Sequence, residues 1–387
     1  MRNWKQILLL TIIFAGCKKA YNPPAITAPN SYLVVEGVIN TNDSTIVKLS
    51  RTVNLSSKVT TNPVSNAVLT IESDANDTYS LNEIVTGKYA FGGFPLDNTH
   101  KYRLRIKTPD NQEYLSDFVA VKVTPPIDSV GFTTTGNGLQ IYANTHDPKN
   151  STRYYRFDYD ETWQFHSKYF SNYVSNGVSI EGRTADQDIY HCFASDVSST
   201  IIIGSTAKLT ADVLYQQPVT NIISTSEKIE TKYSILLREY ALTADAYKFW
   251  DNLKKNTEQL GSIFDAQPSQ ISGNIHNTAK PAEPVVGYIS AGTVSSKRIF
   301  ISYTQLPQTW LPAYPDATCS QDSIWYDTPH SHFNGVAAYL IPLPAAEIPV
   351  SGIFAQGSPS PVGYLSSSVE CVDCTLRGTK TQPAFWK

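Results

Sequence analysis

Lys101-Tyr102-Arg103-Leu104-Arg105-Ile106-Lys107-Thr108 (KYRLRIKT) alternates without a break between charged and apolar residues. The charges fall on Lys101, Arg103, Arg105 and Lys107, and Tyr102, Leu104 and Ile106 lie between them. A strand sends successive side chains to opposite faces, so this period of two puts the cations in water and the apolar residues in a core. A segment with one wet face belongs in an antiparallel sheet rather than a doubly covered parallel one. Pro109-Asp110-Asn111 follows, and these residue types favour turns. With Glu113–Val123 the segment predicts a hairpin over Lys101–Val123.

Similar signals surround it. Tyr32–Asn40, Thr45–Thr52, Ala67–Glu72, Thr78–Asn82 and Lys88–Phe91 read as short strands, separated by Asn, Asp, Gly and Pro. Seven such strands in about 90 residues make the pattern of an antiparallel sandwich. Pro125-Pro126 interrupts it, because paired prolines stop a ladder and stiffen a linker. Beyond it, Ile127–Thr134, Gly138–Thr145 and Arg153–Phe165 read as strands, with a turn at Thr145–Thr152. Ile201–Ile203, Lys208–Ala211, Tyr233–Ala241, Val285–Ala291 and Lys297–Tyr303 follow as further strands. One helix stands out: Thr243 is a good N-cap for Ala244–Leu260, and Gly261 supplies the stop. The expected fold class is mainly β. It consists of tandem antiparallel β-sandwich domains, immunoglobulin/fibronectin III-like or transthyretin-like, with one prominent α-helix near residues 243–260.

The N-terminus predicts an address. Arg2 and Lys5 precede the apolar run Ile7–Phe14, then Ala15, Gly16 and Cys17. This is a secretory signal pattern, too short to span a bilayer. Its FAGC ending resembles a bacterial lipobox, so Cys17 is the expected lipid attachment site. The expected organisation is a signal peptide at 1–16, a lipid tether at 17–30, an N-terminal sandwich at 31–125, and a larger β-rich unit at 126–387 with the helix inserted and a disulfide-stapled tail.

Composition narrows the function classes. Apolar residues make up 41% and charged residues 17%, which argues against disorder and against a long coiled coil. A net charge of −3 gives no polyanion-binding surface, so no nucleic-acid partner is expected. Once Cys17 is set apart, Cys192, Cys319, Cys371 and Cys374 form an even set. In an oxidising envelope they predict two disulfides, with three connectivities open. A bridge from Cys319 to the Cys371–Cys374 pair would pin the tail to the body. A redox or zinc role for C-x-x-C lacks the surrounding pattern. His330-Ser331-His332 lacks a completing carboxylate set and reads as a loop. No metal or cofactor is expected.

The segment RYYRFDYDETW carries the candidate surface: Tyr155, Phe157, Asp158, Tyr159, Asp160, Glu161 and Trp163. Tyr155, Phe157, Tyr159 and Trp163 share one parity, which reads first as a core stripe and second as an aromatic platform for a glycan or a partner's loop. Asp158 and Asp160 face one way on a strand. Such a pair is the arrangement an acid–base hydrolase would need, or a Ca²⁺ site, although a hydrogen-bonded strand end is the simpler reading.

Several strings also resemble a known family. LVVEG at Leu33–Gly37, LSRT at Leu49–Thr52, YRLRI at Tyr102–Ile106 and PPIDSV at Pro125–Val130 are joined by RYYRFDYDETW at Arg153–Trp163. FDAQPSQISGNIHN at Phe264–Asn277, VGYISA at Val286–Ala291 and CVDCTLRG at Cys371–Gly378 complete the set. Together they resemble the Bacteroidota outer-membrane lipoproteins known as domain of unknown function 4249. The resemblance implies a lipoprotein often encoded beside a TonB-dependent outer-membrane receptor, and it transfers no catalytic residue. The expected function is therefore a non-catalytic accessory or ligand-capture partner of such a receptor. It would be anchored to the outer membrane through an N-terminal acyl group, with the side of the membrane left open. The alternatives are an envelope glycan or peptide hydrolase using Asp158, Asp160 or Glu161, and an adhesion or envelope-structural protein.

Overall fold

The computed structural model describes residues 31–53, 57–58, 61–92, 95–258, 273–311, 318–327 and 333–387. The expected signal peptide, Cys17 and its tether, the helix end at Leu260-Gly261, and His330 and His332 lie outside the described residues.

The first strands are β1 (Leu33–Asn40), β2 (Thr45–Arg51), β3 (Val68–Ser73), β4 (Thr78–Val85), β5 (Lys88–Phe91), β6 (Lys101–Lys107), β7 (Glu113–Ser116) and β8 (Val119–Lys122). The alternation in β6 appears as expected, with Tyr102, Leu104 and Ile106 fully buried. Outside, Arg103 and Arg105 both reach Glu72 on the neighbouring β3. The segment Glu113–Val123, expected as one strand, divides in two. The Leu104 amide donates to the Ser116 hydroxyl at 2.9 Å, so a side chain takes the place of a ladder carbonyl there. β7 and β8 then pair with different ends of β6.

The chain continues through β9 (Ile127–Thr135), β10 (Gly138–His146), β11 (Tyr154–His166), β12 (Tyr173–Ser175), β13 (Ile180–Gly182), β14 (His191–Val197), β15 (Ile202–Ser205), β16 (Val213–Ile223) and β17 (Lys232–Ala241). Helix α1 (Ala244–Glu258) follows, then β18 (Ile275–Asn277), β19 (Val286–Gly287), β20 (Ser290–Gly292), β21 (Val294–Ser302), β22 (Asp322–Trp325), β23 (Glu347–Phe354) and β24 (Pro361–Ser368). Lys208–Ala211, expected as a strand, is instead an exposed turn, in which the Leu209 amide donates to Thr206 O. It reverses the chain between β15 and β16, and Asp212 is buried behind it.

The N-terminal sandwich is closed further than expected. The ladder runs β6-β3-β4-β5-β2-β1-β20-β8 and returns to β6, an eight-stranded barrel. Its last stave, β20, comes from far along the chain and pairs in parallel with β1 and β8. Residues 31–125 alone leave two edges open, and closure removes them. The stave is held by close backbone approach. A Cβ on Gly287, whose φ is +154°, would lie 2.3 Å from Val35 O, and one on Gly273 would lie 1.7 Å from Gly287 O. The Asn274 side chain donates to Ile289 O and accepts from the Ile289 amide, both at 2.9 Å. The strings GNIHN and VGYISA therefore form one closing device. The interior is filled by side chains, including fully buried Tyr89, Tyr102 and Tyr114. Each keeps its hydroxyl bonded: Tyr89 donates to Val64 O, Tyr102 to Asp97 O and Tyr114 to Glu283. A buried tyrosine needs such a partner.

The second unit is a sandwich. The sheet β16-β10-β9 faces the sheet β14-β11-β17-β21, with β15 added alongside β11. Leu139, Ile141, Tyr155, Phe157, Tyr233, Ile235 and Leu237 meet between them. The turn expected at Thr145–Thr152 is built on Asp147. Its carboxylate accepts from the Lys149, Ser151 and Thr152 amides and from the Ser151 hydroxyl. A small third sheet, β22-β24-β23, packs over its own cluster of Val336, Leu340 and Tyr364. Two disulfides, Cys192–Cys374 and Cys319–Cys371, tie the tail to the sandwich and to the third sheet's connection. The two cysteines of CVDC thus bond to different partners.

Candidate functional site

Strand β11 positions the site. It pairs with β17 over ten residues, from Tyr155 opposite Ala241 to Gln164 opposite Lys232. Its odd positions enter the core: Tyr155, Phe157 and Tyr159 are 0%, 1% and 7% exposed. Its even positions, Arg156, Asp158 and Asp160, line a cleft of about 400 Å³ beside the outer face of β1 and β2. Glu36 and Lys48, which sit opposite each other across β1 and β2, form the facing wall. Helix α1 closes one end with Phe249, Trp250 and Leu253, and Val197–Ile202 form a rim.

Helix α1 starts where expected. Thr243 Oγ1 accepts from the Ala246 amide at 3.2 Å, which satisfies one of the orphan donors of the first turn. Ala246 and Phe249 are buried, and Phe249 packs against Tyr288 with ring centroids 5.6 Å apart. Its far end is tied to the rim, since the Ile201 amide donates to Glu258 at 2.6 Å.

The charges on the β11–β17 wall are paired with one another. Arg238, directly opposite Asp158, donates from Nε to Asp158 at 2.6 Å and from both terminal nitrogens to Asp160 at 2.7 Å. Arg156 donates to the other oxygen of Asp158 at 3.2 Å and lies over the rings of Tyr240 and Trp250, 4.4 and 4.7 Å from their centroids. The Arg238 hydrogen bonds hold the Asp160 carboxyl below the usual range, against the opposing effect of burial. The same bonds to Asp160 raise Arg238 further. Burial pushes the Tyr240 hydroxyl up to about 12.

The seven residues expected to form one surface are therefore divided. Asp158 and Asp160 line the cleft. Tyr155, Phe157 and Tyr159 are sandwich core, which corrects the platform reading; a strand cannot present both parities to one side. Glu161 points away from the cleft and is 4% exposed, bonded by Lys228 and by the Tyr233 hydroxyl at 2.7 Å. Trp163 is partly buried beneath Lys228, whose Nζ lies 4.9 Å from the ring centroid. His166 does not join the carboxylates; it stacks on Tyr190 and lies 3.4 Å from Glu230. Among the described residues, no group of three or more His, Cys, Asp or Glu is placed to hold a metal ion. The four expected disulfide cysteines are all bridged, and one of the three open connectivities is now fixed.

Sequence reasoning missed Arg238, Lys48, Glu36 and Trp250. Arg238 carried a signal, a lone cation inside the alternating YSILLREYA, but its partners depend on a register between strands 80 residues apart.

The model of a family described as domain of unknown function (DUF4249) matches residues 18–298. The chain belongs to the DUF4249 family. The match includes both walls of the cleft and all of the barrel. No curated protein matches this DUF4249 chain. Among solved structures it is similar to a two fibronectin type III domain segment from chicken tenascin. That likeness has 10% identity, covers 55% of this chain and 93% of the other, and has a TM-score of 0.18.

Proposed function

We propose that this DUF4249 protein is a non-catalytic outer-membrane lipoprotein. It is anchored through Cys17 and captures a ligand in the cleft between barrel and sandwich, as the accessory of a TonB-dependent receptor. The observation that carries the non-catalytic reading is the Arg238 clamp. Acid–base hydrolysis by two carboxyls needs one kept protonated near neutrality beside one ionised. Here Arg238 binds both Asp158 and Asp160 and holds Asp160 ionised, while Glu161 is buried on the other face. This arrangement supports the non-catalytic reading over the hydrolase alternative.

The address rests on the signal segment and the FAGC motif. A single acyl chain gives only marginal membrane binding, and the two or three chains of a processed lipoprotein give stable anchoring. The receptor partner rests on the family resemblance. Metabolic labelling with an alkyne fatty acid tests the anchor. Wild-type protein should take the label and sediment with membranes, and Cys17→Ser should do neither. Label-free wild-type protein, or equal labelling of Cys17→Ser, would refute it. Crosslinking followed by detergent extraction should recover the receptor with the protein.

A further inference from the structure

We infer that the cleft takes a neutral saccharide of one or two rings. This rests on the reading of the cleft as a capture site and names the chemistry of what it captures.

The first argument is charge balance. The walls carry three acids, Glu36, Asp158 and Asp160, against three bases, Lys48, Arg156 and Arg238. Among the lining residues, an anionic or cationic ligand meets no excess of opposite charge. It would also have to compete with the ion pairs already formed by Arg238 and Arg156. A lipid tail is excluded by the same six charges, whose desolvation would go unrewarded.

The second argument is residual hydrogen-bonding capacity. A guanidinium has five N–H groups and a carboxylate about four acceptor sites. Arg238 donates three bonds to Asp158 and Asp160, which leaves two of its N–H groups beside Asp160, whose acceptor sites are half used, and Asp158, which also accepts from Arg156. Donors and acceptors therefore alternate along one wall. A hydroxyl both donates and accepts, so neighbouring hydroxyls on a ring can bond to this wall without breaking an ion pair. Ser199 and Thr200 add exposed hydroxyls at the rim.

The third argument is the apolar wall. Trp250 and Leu253 are partly exposed beside the charged strands. A sugar ring has a C–H face and a hydroxyl edge, and a cleft with an aromatic wall set against a polar one matches both. The volume of about 400 Å³ lies at the small end of ligand pockets, which run from about 300 to 1,000 Å³.

The test uses the full mature chain in detergent on an array of neutral, uronic-acid-bearing and amino-sugar oligosaccharides, followed by calorimetric titration of the best neutral ligand. Two variants accompany it. Trp250→Ala removes the aromatic wall, and Ser199→Trp fills the mouth from an exposed position that leaves the fold untouched. Neutral glycans should bind, and binding should weaken about tenfold or more in at least one variant whose melting temperature is unchanged. Binding confined to charged glycans, binding to none, or neutral binding unchanged in both variants would overturn the inference. Membrane anchoring and receptor recovery are read out separately, so a failed saccharide test leaves the anchor and receptor readings standing.

Discussion

Glu239 shows what a single position in the sandwich demands. It lies on β17 with no exposed surface, and only one of its oxygens is bonded, by the Thr145 hydroxyl at 2.9 Å. Burial pushes its carboxyl up to about 8; the Thr145 bond opposes this, and the charges of Asp128 and Asp212 add to it. The folded protein therefore keeps a proton that the unfolded chain releases near the ordinary value of 4.5. The unfolded state binds fewer protons across that window, so stability falls as pH rises from about 4.5 to about 8 and is flat above it. Glu239→Gln keeps an acceptor for Thr145 and cannot ionise. Thermal melts should show the variant gaining on wild type as pH rises from 5 to 8, by about 1–3 kcal/mol at pH 8. An advantage that is constant across this range would contradict the assignment. Asp147 behaves oppositely. Burial works against its charge, yet the Ser151 hydroxyl and the Lys149, Thr152 and Ser151 amides hold it well below the usual range. Its role was legible as a turn in THDPKNST because an Asp so placed bonds its own backbone. The Glu239 proton was not legible, since nothing in YSILLREYA says that one face would be sealed by β10.

At the scale of elements, the alternating β6 and the helix capped by Thr243 were readable because their causes are local. The β11–β17 pair was only half readable. Its aromatic stripe fell on one parity and entered the core, but the clamp on the other parity needs the register of two strands brought together by the fold. Arg238→Ala should leave Asp158 and Asp160 repelling each other on the cleft wall. Denaturant melts should show a loss of about 1–2 kcal/mol at pH 7, a figure reduced from that of a buried pair because Asp160 is partly in water. The depressed carboxyl contributes only above its unfolded value and loses that contribution as pH falls through its folded one. The gap between wild type and variant should therefore narrow at pH 3. A gap that widens in acid would mean that the clamp is not the source. The cysteines divide in the same way. Their evenness was visible, but a bridge spanning 182 residues, such as Cys192–Cys374, cannot be assigned from spacing.

For the molecule as a whole, the least legible feature is the barrel's closure. Pro125-Pro126 marks where the chain leaves the first unit, and nothing local says that Asn274–Gly292 returns to it. Gly287 is the residue on which that return depends, through its positive φ and its approach to Val35 O. Gly287→Val should open the barrel seam. Hydrogen exchange of the β1 amides should accelerate, and the melting temperature should drop by several degrees, with a cost of about 2 kcal/mol or more. Exchange confined to wild-type rates in β1 would contradict the seam's role. The closing device also lies at the wall of the cleft, since Val286 and Gly287 line it, so barrel closure and the proposed capture site share residues. The role proposed for this DUF4249 protein is that of a tethered capture module. The most direct measurement is crosslinking of intact cells that express wild-type or Cys17→Ser protein, followed by mass spectrometry of the detergent extract. The expected result is a TonB-dependent receptor recovered with wild type and lost with Cys17→Ser. Wild-type extracts that repeatedly contain the protein alone would contradict the account.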